Sequence, residues 1–238
     1  AGPSSVALAG AMPAEGALDL RLRTVDFPLR DVAELLNLPG EPRGRLWSTA
    51  SLTGSRAAPD LEADAEWRGG MLRGVALDTL RARARAAADA VRLDATLGAG
   101  ARPTLVAEAV LPLVLGLDGS GSRFDGEGPI AGRVQSDSLG LELLQTLTGG
   151  TLAARGTMAL DLTLGGTWAH PLAAGALRVT NGSLAPAALG NVRWGGVEAD
   201  IGFFGDSVAV RNIAATSSAG RGGNARLSGH LEIGRAHV

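Results

Sequence analysis

The chain has 238 residues, 45% of them hydrophobic, and a formal net charge of −2. That is enough apolar material for a large buried surface, and it gives no electrostatic case for nucleic-acid binding. Cysteine, tyrosine and lysine are absent and aromatics make up 3%, so there is no disulfide framework and no thiolate metal site, and the redox compartment is not legible.

The opening stretch, residues 1–17, has no assigned structure, and "AGPSSVALAGAMPAEG" lacks the positive n-region of a signal peptide. No run reaches the roughly 18 consecutive apolar residues of a membrane span, so any anchor or export signal is expected outside this stretch. In "FPLRDVAELLNLPG" Leu29, Val32, Leu35 and Leu36 fall at helical spacing, which predicts a short amphipathic helix. Further on, "TLRARARAAADAV" is ambiguous. Arg81, Arg83 and Arg85 alternate as on a strand's outer face, whereas Ala86 to Ala88 favour a helix; the alternation is taken, and a strand is expected. "AVRLDATL" and "PTLVAEAVLPLVL" keep the period of two through Val91, Leu93, Ala95 and Leu97 and through Leu105, Ala107, Ala109 and Leu111. The segment "GLDGSGSRFDGEG" lacks both a calcium-loop pattern and a phosphate-loop lysine, and residues 116–130 read as a flexible linker.

Beyond the linker, "DSLGLELLQTLTGG" places Leu141, Leu144 and Leu147 at helical spacing before a Gly-Gly stop. Strand alternation then returns in "GTMALDLTLGG", "GALRVT", "GVEADIGFF", "DSVAVRNI" and "NARLSGHL", with Gly, Asn-Gly or Pro between most runs, as in an antiparallel meander. The last stretch, residues 232–238 ("EIGRAHV"), reads like the translation of a sequencing adapter; it is expected to be non-native, and the chain to be a fragment.

The elements repeat. Laying residue n on residue n+112 pairs Leu29 with Leu141, Gly44 with Gly156, Leu52 with Leu164, Gly54 with Gly166, Pro59 with Pro171 and Gly70 with Gly182, without a gap over some fifty residues. Matched glycines and proline mark shared turn punctuation, which composition alone does not give. The expected organisation is a first β unit over 18–115, the linker, and a second β unit over 131–231, each opening with a short amphipathic helix.

Catalytic patterns are missing. The histidines His170, His230 and His237 do not form a metal-binding i, i+4 pair, no Gly-x-Ser-x-Gly elbow occurs, and carboxylates such as Asp161 and Glu198 sit at polar strand positions. No catalytic residue, metal or cofactor is expected, and the chain is not expected to be an enzyme. The three arginines Arg81, Arg83 and Arg85 read as a solvated outer face rather than a head-group site.

What remains is apolar surface. Too few helices are available to cover so many strands, and scarce aromatics leave little bulk for a sandwich core. The expected fold is therefore mainly β: an elongated, curled antiparallel β-sheet that leaves an apolar groove, with short amphipathic helices. Its lining is assigned to Met158, Leu160, Leu162, Leu164, Leu177, Val179, Val197, Ile201, Phe203, Val208, Val210 and Leu227, and in the first unit to Leu93, Leu97 and Leu105. Such a groove suits acyl chains, at about 0.8 kcal/mol per buried CH₂. Some twelve to fourteen strands at about 4.8 Å would give roughly 60 Å of it.

The paired units "GSRAAPDLEADAEWRGGML" and "GTWAHPLAAGALRVTNGSL", the downstream "LGNVRWGGVEADIGFFGDSVAVRNIAATSSAGRGGNARLSGHL" and "AEAVLPLVLGLDG" resemble the C-terminal domain of the TamB family, the inner-membrane component of the translocation and assembly module, within the AsmA-like superfamily. Gly166, Thr167, Pro171, Gly175, Asn181, Gly182, Pro186, Gly190, Gly220 and Gly229 carry the pattern over most of residues 18–231. The first unit departs from it with Ser55 for threonine and Arg68-Gly69-Gly70 for Asn-Gly. The resemblance implies a taco-shaped β-groove (β-taco) extending through the periplasm, in a protein tethered to the inner membrane by an anchor outside this stretch. It also implies phospholipid cargo, an outer-membrane barrel partner of the TamA type, and support for outer-membrane and autotransporter protein assembly. An AsmA-like envelope protein and a β-strand-binding chaperone scaffold are the alternatives. A surface adhesin would repeat at shorter period, without helices.

Overall fold

The computed structural model describes residues 4–13, 16–36, 42–72, 74–87, 89–98, 103–117, 123–143, 148, 151–189, 192–217 and 223–232. In the first half they form β1 (Ser5–Ala11), β2 (Leu18–Pro28), α1 (Leu29–Leu36), β3 (Arg43–Gly54), β4 (Pro59–Leu72), β5 (Val75–Ala87), β6 (Ala90–Gly98) and β7 (Leu105–Leu111). A small hairpin, β8 (Leu113–Val114) with β9 (Arg123–Phe124), follows. The second half comprises β10 (Ala131–Gly140), β11 (Leu152–Gly166), β12 (Pro171–Pro186), β13 (Trp194–Gly205), β14 (Ser207–Ser217) and β15 (Asn224–Glu232). Thirteen strands make one antiparallel sheet in chain order, with β7 pairing directly to β10, so the two units share a continuous sheet. The sheet is curled and not closed into a barrel.

Openness is visible in the surface area. The chain exposes 14680 Å², whereas a compact protein of 24.0 kDa would expose about 9,900 Å² by the usual size scaling.

The 112-residue offset is reproduced in the backbone. Between β2 and β3 the register slips between Thr24 and Phe27; between β10 and β11 it slips between Ser136 and Leu139. Arg45 faces Arg68 while Arg43 faces Met71, so Gly69-Gly70 bulge opposite Gly44. Arg155 faces Ser183 while Thr157 faces Thr180, so Asn181-Gly182 bulge opposite Gly156. Equivalent residues also share conformations: φ is +123° at Gly44 and +122° at Gly156, +56° at Gly69 and +51° at Asn181. Further slips follow on β13 and β14. A bulge adds local twist and bends its strand, so bulges on adjacent strands form a crease along which the sheet folds. At that crease Leu139, Met158, Val179, Val197 and Ala199 pack with Ala154 and Leu141 into the core, and Leu141 is 1% exposed.

Several expectations need correcting. Asn181-Gly182 is not a turn but the bulge inside β12; Asn tolerates the left-handed conformation there, and the freed Asn181 N–H donates to Glu198 Oε1 at 2.9 Å. In the first unit Gly69 takes the same conformation, so the departure from Asn-Gly is one of sequence and not of geometry. The alternation through Leu105, Ala107, Ala109 and Leu111 is β7, and Pro112, which has no N–H for the ladder, separates it from β8. In the segment expected to be a flexible linker, the part over 123–130 is pinned. Phe124 stacks edge-on against Trp168 with ring centroids 5.1 Å apart, Ala169 N donates to Gly126 O, and Ile130 N donates to Gly166 O. Residues 118–122 lie outside the described residues.

The first amphipathic helix is α1. Of the second, residues 142–143 are helical, while Leu144 and Leu147 lie outside the described residues. The segment over Arg81, Arg83 and Arg85 is a strand, β5. Within the opening stretch β1 is a strand, and Glu232 pairs with Ser207 in the ladder although it was assigned to the non-native tail; residues 233–238 lie outside the described residues.

Candidate functional site

Side chains directly opposite one another in an antiparallel pair lie on the same face of the sheet, so the register fixes which residues share a surface. Leu160 faces Leu177, Leu177 faces Ile201, and Ile201 faces Val210. One rung along, Leu162 faces Gly175, Gly175 faces Phe203, and Phe203 faces Val208. Met158 faces Val179, which faces Ala199, with Val197 two residues away on the same side; Ala199 faces Ile213, which faces Leu227. Leu164 reaches the first unit through Gly132 and Ala109 to Leu93, and Leu97 faces Leu105. All fifteen residues singled out in the sequence therefore occupy one face.

Their burial is graded. Met158, Val179 and Val197 are buried at the crease, Leu93, Leu164 and Leu227 are exposed at 37%, 37% and 60%, and the remaining nine are half-buried.

The face extends further than the sequence reading assigned it. Phe27, Leu46, Trp67, Leu80 and Leu97 form one rung across β2–β6, and Leu20, Leu52, Leu61, Ala86, Val91 and Leu111 another across β2–β7. Between these rungs the lining is small: Ser48, Ala65, Ala82, Ala95 and Ala107 face one another in sequence, beside Ala50, Ala63 and Ala84. On the continuation of the first of these small rungs the second unit carries Leu162, Phe203 and Val208. The floor is thus low in the first unit and high in the second. The missed residues had a signal in the repeat itself, since Leu46, Ser48, Ala50 and Leu52 lie 112 residues before Met158, Leu160, Leu162 and Leu164.

The opposite face is charged and internally matched. Glu62, Asp64 and Glu66 of β4 stand directly across from Arg85, Arg83 and Arg81 of β5, with N–O separations of 3.2, 2.6 and 3.2 Å. Arg68 adds a bond to Glu66 at 2.7 Å. That bond, with the charge of Arg81 behind it, holds the Glu66 carboxyl below its ordinary range, and Asp64 raises the Arg83 guanidinium correspondingly. Asp161 pairs with Arg133, and Asp200 with Arg178 and Arg211. The three arginines of β5 are therefore committed to carboxylates on the neighbouring strand.

Chemistry-bearing groups are sparse. His170 and His230 are exposed, and among the described residues no group of three or more His, Asp or Glu is placed to hold a metal ion. No helix among the described residues is long and apolar enough to cross a membrane. The arrangement consists of a polar, ion-paired outer surface backing a long aliphatic one. No family model, no curated protein and no solved structure matches the chain.

Proposed function

We propose that the chain is a section of a periplasmic bridge whose apolar groove carries phospholipid between the inner and outer membranes of a diderm bacterium, in the manner the TamB resemblance implies. The observation that supports this reading most is the largely apolar face that runs from β2 across the sheet to β15, buried at the crease and around Ala86 and Val91 and otherwise mostly half-buried or exposed. Aliphatic surface of this extent left without a protein partner favours a mobile hydrocarbon occupant. Burial at about 0.8 kcal/mol per CH₂ is non-directional, so an acyl chain can shift along it from rung to rung without breaking specific bonds. With thirteen strands, the twelve gaps of about 4.8 Å give roughly 58 Å measured from strand to strand. In this reading the chain does no chemistry, and the full protein would meet an outer-membrane barrel of the TamA type and support assembly of outer-membrane and autotransporter proteins.

The test is native mass spectrometry of the purified chain with extraction of bound lipid. Wild type should carry phospholipid. The Leu160→Asp, Leu162→Asp, Ile201→Asp triple variant should lose it, while Thr163→Asp, on the other face, should keep it. A well-folded wild-type protein free of lipid would turn the reading towards a scaffold that binds strands of outer-membrane proteins by edge addition.

A further inference from the structure

The two units are covered unequally at equivalent places. On the 112-residue offset Leu18 corresponds to Ile130, Leu52 to Leu164, Gly54 to Gly166 and Pro59 to Pro171, all towards one rim of the apolar face. Leu18 and Pro59 are buried and Leu52 and Gly54 half-buried, whereas Ile130 is half-buried and Leu164, Gly166 and Pro171 are exposed. Each position in the first unit is thus better covered than its counterpart. Ala86 and Val91, on the same face beside the β5–β6 turn, are buried as well. A residue next to a turn has no further length of strand to shelter it, so burial there requires something lying over the face.

The cover is the segment Pro112–Leu117, "PLVLGL". It leaves β7 at Pro112, its Leu113 and Val114 form β8 against Phe124 and Arg123 of β9, and β8 packs on β6. At the far end Leu117 N–H donates to Arg56 O at 2.7 Å, and Arg56 Nη2 donates to Leu117 O at 2.9 Å. Arg56 belongs to the β3–β4 turn, and β5 and β6 stand between β4 and β7 in the sheet, so the segment crosses the ends of both. Pro112 and Gly116 are buried, and Leu113, Val114 and Leu115 half-buried. On its other side the β8–β9 hairpin is held by the β11–β12 turn, through Phe124 against Trp168 and Ala169 N–H donating to Gly126 O. One strap therefore grips the equivalent turns of both units, Gly54–Pro59 and Gly166–Pro171, but covers the rim of the first alone.

Its hold is light. The bond from Arg56 Nη2 is exposed, as are Leu117 and both rings of the Phe124–Trp168 pair. Segments tied down by a few solvent-exposed bonds open at low free energy. What the strap supplies to the face is apolar burial, which is non-directional and which a hydrocarbon chain supplies equally. Exchanging one for the other leaves Leu18, Ala86 and Val91 covered in both states.

We infer that the strap Pro112–Leu117 is a lid. It occupies the rim of the first unit's apolar face where an acyl chain would otherwise lie, and it lifts from Arg56 when a chain takes its place. The inference rests on the lipid-carrying reading above and adds to it a control on entry: without lipid this part of the face is closed by the protein's own leucines and valine, and loading opens it.

The chain has no cysteine, so Ala57→Cys, Leu117→Cys places the only two thiols on the turn and the strap, and a bismaleimide joins them with the lid down. The whole chain, joined or left open, is incubated with vesicles of phosphatidylethanolamine and phosphatidylglycerol containing a phospholipid with a diazirine in one acyl chain. After irradiation the adducts are mapped by mass spectrometry. The open chain should carry adducts on peptides holding Ala86 and Val91 as well as on those from β11–β14. In the joined chain the first set should fall to background, while the second, which the lid does not cover, should persist and so report an intact fold. Phe124→Ala, an exposed ring outside the thirteen-stranded sheet, should raise labelling at Ala86 and Val91 roughly threefold, the shift expected on losing one aromatic pair. Equal labelling of Ala86 and Val91 in the joined and open chains, or none there in the open chain while β11–β14 is labelled, overturns the lid and leaves the conduit reading standing. No adduct on either set overturns both.

Discussion

Gly156 is the most exacting test of the crease. Its φ of +122° lies in a region that residues with a Cβ scarcely enter, and a Cβ built there would stand 2.8 Å from Gly182 Cα and 2.9 Å from Asn181 O. Both are backbone atoms of the bulge, so no side chain can swing aside. Adding about 1–3 kcal/mol of backbone strain to about 1–3 kcal/mol of overpacking puts Gly156→Ala at about 3 kcal/mol or somewhat more. At roughly 2–4 °C per kcal/mol for a chain of this size, the melting temperature followed by far-ultraviolet circular dichroism should fall by about 6–12 °C. Gly44→Ala should cost a comparable amount, since its φ is +123° and its Cβ would meet Arg68 O at 2.8 Å and Gly69 O at 2.9 Å. Gly165→Ala is the internal control, because nothing lies within 4 Å of its would-be Cβ, and loss of strand glycine entropy should leave it neutral or slightly stabilised. If Gly156→Ala melts with the wild type, the paired bulges are not what bends this sheet.

Two further outcomes follow from the same geometry. Asn181→Gly should be tolerated, because Gly69 already fills the equivalent place, whereas Asn181→Val should lose about 1–2 kcal/mol by forcing a β-branched residue to positive φ; denaturant melts of the two variants distinguish them. The carboxyl of Glu66 is held low by its bond to Arg68, so its contribution is present above the ordinary carboxylate pKa and is lost as pH falls through the lower, folded value. The stability difference between wild type and Glu66→Gln should therefore be within the ~0.2–1 kcal/mol of exposed pairs at neutral pH and vanish in acid. A difference that grows on acidification would contradict the assignment.

The parts of this fold that the sequence made legible are those where one side of a strand is aliphatic throughout. Met158, Leu160, Leu162 and Leu164 give an unmistakable period of two, and the strands from β11 onward were readable for that reason. In β3 the same positions hold Leu46, Ser48, Ala50 and Leu52. Serine and alanine dilute the contrast with the polar side, and half of the apolar face went unassigned. Bulges hid more: at Asn181-Gly182 the local conformation suits a turn, and only the pairing of both flanking segments with β11 shows that the strand runs on.

The asymmetry between the two units bears on how such a surface would work. A uniform trough would hold an acyl chain equally well at every rung, and nothing would favour one position over the next. Here the alanine floor of β3–β7 and the leucine, isoleucine and phenylalanine floor of β11–β14 are joined without a break through β7 and β10. Larger side chains offer more contact area per rung but leave less depth, while small ones give depth and room for a second chain or a bulkier tail. Occupancy is thus expected to be deep and loose in the first unit and shallow and close in the second. Because each strand touches chiefly its neighbours in the ladder, further units of 112 residues could be added without disturbing those in place, lengthening the surface by the same step.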